Sequence, residues 1–272
     1  MYFTLRDLMQ GMLNIAIRAA RRAGGLMIRH LNQLESLQVA EKSHNDFVTQ
    51  VDRMAEAAII EVIKDHYPDH AILAEESGAA GQNEFEWIID PLDGTTNYLH
   101  GFPVFSVSIA VAQAGELQHA VVYDPLRQEI FSASRGQGAQ LDGRRIRVSK
   151  RHSLQGALIA TGFPYRTTEA NIDRYLKMLR AVMIETAGVR RPGSAALDLC
   201  YVAAGRVDGF WELGLSKWDI AAGALIIREA GGRISDFNGT EAFLESGNVV
   251  AGAPKVYSAL SRLLAPHSKG LA

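Results

Sequence analysis

Cysteine is almost absent from the 272-residue chain. Cys200 stands alone, so no intrachain disulfide can form, and a reducing compartment is expected. Its neighbours Leu199 and Tyr201 favour a buried, inert thiol over a nucleophile. Long apolar runs are missing as well, and nothing approaches the roughly 18 apolar residues of a transmembrane span. The stretch from Met9 to Leu31 is amphipathic and carries Arg18, Arg21, Arg22 and Arg29, but its apolar positions Leu8, Met12, Ile15, Ala19 and Ala23 recur at helical spacing without forming an uninterrupted signal-peptide core. A structural helix is predicted there, in a cytoplasmic protein with no membrane contact. Charge of one sign is not in excess either: 28 Lys and Arg against 30 Asp and Glu leave a net charge of −2. No direct nucleic-acid partner is expected from that balance, and any such contact must be local. Arg144-Arg145-Ile146-Arg147 and Lys150-Arg151-His152 form the only basic cluster, ordinarily a solvated face but able to meet an acidic partner. The eight histidines include no pair at metal-binding helix spacing with an acid between, which argues against zinc hydrolysis; His66, His70, His100 and His119 read as surface or loop residues.

What the chain does have is ordinary globular stock, 47% hydrophobic and 21% charged, enough for a sizeable core. Arg53 to His66 reads as an amphipathic helix closed by Tyr67-Pro68. Val104 to Val111, Leu117 to Tyr123 and Glu129 to Ser134 run apolar or alternate between turn signals at Ala114-Gly115 and Asp124-Pro125, the pattern of an antiparallel meander. Further on come a strand at Leu158 to Thr161, helices at Glu169 to Glu185 and Ser194 to Ala204, a strand at Val207 to Glu212, a helix at Lys217 to Ala230, two last strands and a helix from Pro254 to Leu264. With no long linker or repeat, residues 1–272 are expected to form one domain with subregions of about 1–150 and 151–272. Gly136-Gln137-Gly138 imitates part of a dinucleotide fingerprint, yet it leads into the hairpin turn Leu141-Asp142-Gly143 and opens no helix, so it reads as turn glycine.

The chemistry is concentrated in Trp87-Ile88-Ile89-Asp90-Pro91-Leu92-Asp93-Gly94-Thr95-Thr96-Asn97. Ile88 and Ile89 are a covered strand, and Pro91, which lacks a donor, is expected to stop its ladder. Asp90 and Asp93 can then face one cation around a tight turn, with the Leu92 carbonyl as a further hard oxygen ligand. Gly94 lets a phosphate approach the backbone, and Thr95 onward can open a helical turn whose N–H groups point at it. Considered alone, the string is equally compatible with an Asx-type turn closing a strand. Ala71-Ile72-Leu73-Ala74-Glu75-Glu76 repeats the motif of an apolar strand running into carboxylates, so two adjacent strands can bring Glu75, Asp90 and Asp93 together; Asp219, in the first turn of a helix after Lys217-Trp218, can reach the same cation. The spacing of Asp90 and Asp93 is three, not the two of phosphatases that form an aspartyl-phosphate.

Asp46-Phe47-Val48-Thr49-Gln50-Val51-Asp52, Glu75-Glu76-Ser77, Asp90 to Asn97 and Trp218-Asp219-Ile220-Ala221-Ala222-Gly223, in this chain order, resemble the signature segments of the inositol monophosphatase family of Mg-dependent, lithium-sensitive phosphatases. The resemblance runs from about Leu13 to the C-terminal helix. It extends through Arg190-Arg191-Pro192-Gly193-Ser194-Ala195-Ala196-Leu197-Asp198 and Val202 to Phe210, which are closest to bacterial members.

The resemblance implies a five-layer α-β-α-β-α sandwich, α/β in class, and hydrolysis of a small-molecule phosphate monoester, inositol 1-phosphate first among them, by direct attack of water. Glu75, Asp90 and the Leu92 carbonyl would hold one Mg²⁺, and Asp90, Asp93 and Asp219 a second, so that Asp90 bridges them. Glu75, Asp52 and Thr95 would be the catalytic residues, Thr95 hydrogen-bonded to Asp52 and orienting the water. Substrate would meet Asp93, Gly94, Thr95, Arg190, Gly193, Ser194, Ala195, Glu212 and Asp219. A lysine that animal members carry before the D-x-V-T segment has no clear counterpart at Glu41-Lys42-Ser43, which bears on a third metal position. The metal ligands do not encode the alcohol, so fructose 1,6-bisphosphate or a nucleotide 3′-phosphate is an alternative substrate. Homodimers are the family's habit, and Val104 to Val107 and Ala157 to Ala160 are apolar segments able to form such a patch. Bacterial members are also associated with transcription antitermination and ribosomal RNA synthesis, for which the basic cluster is a candidate surface.

Overall fold

The computed structural model describes residues 5–31, 39–43, 46–164, 169–268 and 270, with the backbone alone for 5–10, 39–43, 46–48 and 169–170. Helix α1 (Leu5–His30) buries Met12, Ala16, Ala19, Ala20, Ala23 and Met27, a stripe of helical period. A short hairpin, β1 (Val39–Ser43) with β2 (Asp46–Thr49), runs into α2 (Gln50–Lys64), whose start is fixed by a capping box between Thr49 and Asp52. The third-metal expectation at Glu41-Lys42-Ser43 concerns side chains outside the described residues.

An eight-stranded sheet follows: β3 (Ala71–Ala74), β4 (Gly78–Ala80), β5 (Phe85–Asp93), then, after the short α3 (Thr95–Leu99), β6 (Ser106–Gln113), β7 (Glu116–Asp124), β8 (Glu129–Ser134), β9 (Gly138–Leu141) and β10 (Arg144–Arg145). Its order is β10-β9-β8-β7-β6-β5-β3-β4. From β5 to β10 it is the expected antiparallel meander, while β3 lies parallel to β5. The second sheet contains β11 (Leu158–Thr161), then α4 (Glu169–Glu185), β12 (Gly188–Arg190), α5 (Ala195–Ala203), β13 (Gly209–Glu212), α6 (Lys217–Glu229), β14 (Arg233–Ser235), α7 (Phe243–Ser246), β15 (Val249–Gly252) and α8 (Pro254–Ser268), with strand order β12-β11-β13-β15-β14.

Three apolar clusters hold five layers together. Met12, Met27, Ile59 and Trp87 join α1 and α2 to one face of the large sheet. Phe131, Leu199, Ile226 and Phe210 fill the middle, where α5 and α6 lie between the sheets. Tyr175, Met178, Trp211 and Leu260 join α4 and α8 to the outer face of the small sheet. This is the expected α-β-α-β-α order. None of the helices among the described residues is long and apolar enough to cross a membrane.

Several expectations are corrected. Pro91 does not stop β5: the strand passes through it as a bulge, pairing Asp90 with Ser108 and Asp93 with Ser106. Bulges accommodate a missing donor because one residue there needs no ladder partner. His119 is buried at 1% exposure, with Nδ1 on the Ser134 hydroxyl at 2.8 Å, because β7 turns it onto a covered face; burial lowers its pKa to about 4. His70 is half-buried, accepting from the Trp87 indole at 3.0 Å and stacked on Tyr67 and Phe85. Phe105, Val107, Ala157 and Ile159 are fully buried, so the two segments proposed as a dimer patch are core. Cys200 is buried as expected, and burial raises its thiol pKa well above the usual range.

Candidate active site

The site begins with the parallel pairing of β3 and β5. Ala74 lies opposite Ile89, and the Glu75 N–H donates to the Ile89 carbonyl at 3.1 Å, so each strand delivers its carboxylate at the same level. Beyond Asp90 the bulge turns the chain: Asp90 Oδ1 accepts the Leu92 N–H at 3.0 Å, and Leu92 O accepts the Thr95 hydroxyl at 3.1 Å. Gly94 then adopts φ 97° as the N-cap of α3. A Cβ there would lie 3.0 Å from the Val104 carbonyl and 3.1 Å from that of Gly193, so the position suits glycine for both conformation and space.

The start of α5 points at the same place. Asp93 Oδ2 accepts from the Ser194 hydroxyl at 2.5 Å and from the Ala196 N–H at 2.8 Å, an arrangement in which a helix N-terminus steadies a negative charge. Asn97 ties the two halves together by donating to the Val104 carbonyl at 2.7 Å and that of Pro192 at 2.9 Å. Asp219 is the N3 residue of the Ser216 capping box, accepting the Ser216 N–H at 2.8 Å.

Glu75, Asp90, Leu92, Asp93, Gly94, Thr95 and Asp219 line a cavity of about 290 Å³ together with Gly193, Ser194, Ala195 and Glu212. That volume is at the small end for ligand sites, suited to a compact polar molecule. Burial, then the negative charges of Glu75, Asp93 and Asp219, hold the Asp90 carboxyl well above the usual range; a hydrogen bond with Glu75 adds to this. Burial and then Asp219 push Asp93 up to about 7 against the opposing bonds from Ser194, Ala196 and Ala195. Carboxylates this close to one another and this far from water are stabilised by a proton or a cation between them. All the donors are hard oxygens, the set that fits Mg²⁺. Among the described residues no three acids are already drawn into a finished metal shell.

Asp52 caps α2 and also meets Thr95. Its Oδ2 accepts the Thr49 N–H at 2.8 Å and closes the capping box, while Oδ1 accepts the Thr95 hydroxyl at 3.0 Å. It is fully buried, and burial raises its pKa despite those bonds.

Of two adjacent arginines, the one expected at the site is not the one that lines it. Arg191 lines the cavity, whereas Arg190 turns outward, its guanidinium on the Val189 carbonyl at 3.0 Å. Alternation along the exit of β12 decides which arginine faces inward, and the sequence alone does not fix that parity. Sequence reasoning also missed Asp198, 1% exposed on α5, whose Oδ1 has no hydrogen-bond partner among the described residues. Burial, then the negative charges of Glu212 and Asp93, raise its pKa well above the usual carboxylate range. Phe163 lines the cavity too, with no motif to announce it. The Gly136 and Gly138 N–H groups, the imitation fingerprint, bind the Glu229 carboxylate at 2.8 and 2.7 Å.

A layered α/β sandwich with an acidic, hydroxyl-lined cavity between its two sheets is the class that fold and site define. The chain belongs to the inositol monophosphatase family, whose sequence profile matches residues 8–269. It is 56% identical over 264 residues to the Nus factor SuhB of Pseudomonas aeruginosa, covering 95% of this chain and 97% of that one. To the Nus factor SuhB of Escherichia coli K12 it is 51% identical over 254 residues, 93% and 95% of the two chains. Among solved structures, the extragenic suppressor protein suhB from Bartonella henselae superposes with a TM-score of 0.91 at 44% identity, over 96% of this chain and 99% of that one. The inositol monophosphatase from Anabaena gives 0.82 at 41% identity, over 94% and 95%.

Proposed function

We propose that the chain is a Mg²⁺-dependent phosphate monoester hydrolase acting on inositol 1-phosphate. The observation that carries this reading is the convergence of Glu75, Asp90, Asp93 and Asp219 on one cavity, beside a Thr95 hydroxyl that donates to a buried Asp52. Bound Mg²⁺, held by those acids and the Leu92 carbonyl, would lower the pKa of a coordinated water and neutralise the leaving alkoxide. The chain's own residues do the rest. A hydroxyl has one hydrogen, and with it directed at Asp52 or the Leu92 carbonyl the Thr95 oxygen is free to accept from the attacking water. Asp52 is then positioned to take the proton through Thr95. The N–H groups of Gly94 and Thr95 serve the phosphate oxygens, and Glu212, Ser194 and the Gly193-Ala195 backbone the alcohol. Arg191 takes the place foreseen for Arg190.

A phosphate-release panel of polyol, sugar and nucleotide monophosphates, with Mg²⁺ and with chelator, tests the reading. Release of phosphate from inositol 1-phosphate only with Mg²⁺, and its inhibition by millimolar Li⁺, is the expected result. Release of no phosphate from any ester would sink it, and preference for fructose 1,6-bisphosphate or a nucleotide 3′-phosphate would move the substrate.

A second role in transcription antitermination is supported by the names of relatives at 50% identity and above. Arg144, Arg145, Arg147 and Lys150 are exposed and have no ion pair among the described residues, whereas Arg151 is engaged with Asp208 at 3.1 Å. Replacing Arg144, Arg145 and Arg147 with Gln should weaken capture of antitermination factors and spare phosphate release; equal loss of both would refute a separate surface. The homodimer is proposed on a different surface from the one the sequence suggested. Helix α4 buries Tyr175, Met178 and Val182 and exposes Ile172, Leu176 and Met183 on an adjacent face, an apolar stripe suited to a second copy. A cytoplasmic location fits all of these roles.

A further inference from the structure

The cavity contains one feature that neither metal nor phosphate requires. Phe163 lines it with 46% of its surface exposed, although a phenyl ring so placed loses hydrophobic stabilisation. The ring is held in position. The Arg191 guanidinium lies 5.0 Å from its centroid, and Tyr175, buried and hydrogen-bonded to Thr161 at 3.0 Å, meets it edge-on with centroids 5.7 Å apart. The preceding residue fixes where it stands: a side chain at Gly162 would collide with the Glu212 carboxylate, so the backbone runs tightly past Glu212 and places the ring next to it. A flat apolar face, a stacked cation and a carboxylate thus share one wall of the cavity.

We propose that Phe163 is a specificity-determining residue, an aromatic wall that favours leaving alcohols with a flat face, a nucleoside above all, over short acyclic alcohols. The inference rests on the phosphatase reading and deepens it. The groups proposed to hold metal and phosphate treat all monoesters alike, so discrimination must come from the rest of the lining. Rings stack on exposed aromatic faces, and a neighbouring guanidinium adds a second planar surface. Glu212 beside it accepts hydroxyl hydrogens, so the wall reads the ring's face while Glu212 reads its edge.

The test compares adenosine 2′-monophosphate with glycerol 2-phosphate, both esters of secondary alcohols, so their intrinsic reactivity is similar and the ratio of kcat/KM reports the wall. In F163A this ratio should fall about ten-fold, the scale of one lost base-stacking contact, through KM for the nucleotide more than through kcat. F163W should restore it, which a merely structural role would not require. Thermal unfolding of both variants, half-exposed as the site is, should match the parent chain. A ratio unaltered by F163A, or a fall in both esters together, overturns the proposal while leaving the phosphatase reading intact. If the parent chain hydrolyses neither ester nor inositol 1-phosphate, the phosphatase reading fails and this inference with it.

Discussion

The Thr95 hydroxyl donates to Oδ1 of Asp52 at 3.0 Å, while Oδ2 of the same carboxylate accepts the backbone N–H of Thr49 at 2.8 Å. One buried side chain therefore closes the first turn of α2 and holds a hydroxyl at the mouth of α3. A helix cap is a rigid support, so the geometry proposed for proton acceptance comes with the fold.

The pair should act as one unit. Asp52→Asn and Thr95→Ala are each expected to lower kcat by roughly 10²–10⁴, the usual contribution of a positioned general base, with little change in KM. The double variant should lose scarcely more than either single one. Asp52→Asn should also cost about 1 kcal/mol of stability through the weakened cap, and Thr95→Ala less. Steady-state kinetics and thermal unfolding check both halves, and a change confined to KM would contradict the proposed roles.

The acidic cluster predicts a pH dependence of stability that depends on Mg²⁺. Without the cation, burial and neighbouring charges raise Asp93 from 3.8 to about 7 and Asp90 also upward, so the folded form keeps protons that the unfolded form releases. That contribution is fully present below pH 3.8 and is lost as pH rises through about 7. In chelator, the melting temperature should therefore drop between pH 5 and 8, after allowance for other groups, and Mg²⁺ should recover it most at the alkaline end. Asp90→Asn should flatten the curve in chelator, abolish most of the Mg²⁺ effect and abolish activity. A melting temperature indifferent to Mg²⁺ at pH 8 would refute the cation site.

The elements and the acids were legible because each rests on a local pattern, whereas the five-layer order followed from the family resemblance. Apolar runs that end in carboxylates, at Ala74-Glu75 and Ile89-Asp90, need only parallel neighbours to converge, and β3 and β5 are such neighbours. What was hidden depends on parity or on distant packing. The bulge at Pro91 follows from the partner strand β6, which reaches Ser106 to pair with Asp93. His119 is interior because β7 turns it inward, a matter of register and not of residue type. Arg190 and Arg191 are equivalent in sequence and opposite in space. Phe163 becomes part of the cavity through Arg191 and Tyr175, both remote from it along the chain.

Ser194 tests the support of the metal ligands. Its hydroxyl opposes the rise in the Asp93 pKa, so Ser194→Ala should raise that pKa further and let protons compete better with the cation. Mg²⁺ affinity is expected to fall by about 10–100-fold, as it does when a ligand's hydrogen-bond partner is removed, and to fall most at acid pH. Mg²⁺ titrations of activity from pH 6 to 8 would measure this. An affinity loss that is the same at every pH would assign Ser194 to the substrate and not to Asp93.

The last prediction concerns the stripe on α4. Leu176 and Met183, 53% and 61% exposed, stand on a helix face adjacent to that of the buried Tyr175, Met178 and Val182. Leaving such residues in water is costly, and covering them with the same stripe of a second copy removes both faces from solvent at once. Leu176→Glu with Met183→Glu places like charges opposite each other across a two-fold axis and should shift sedimentation from dimer to monomer at every concentration tested. Because both side chains are more than half exposed, the helical content and the melting temperature of the monomer should change little. The cavity is lined from β5, α3, β13, the starts of α5 and α6 and the turns after β3, β11 and β12, with no residue of α4 in it, so the monomer should still hydrolyse phosphate monoesters. An unaltered dimer would place the interface on another face, and a monomeric parent chain at micromolar concentration would remove the dimer from the account.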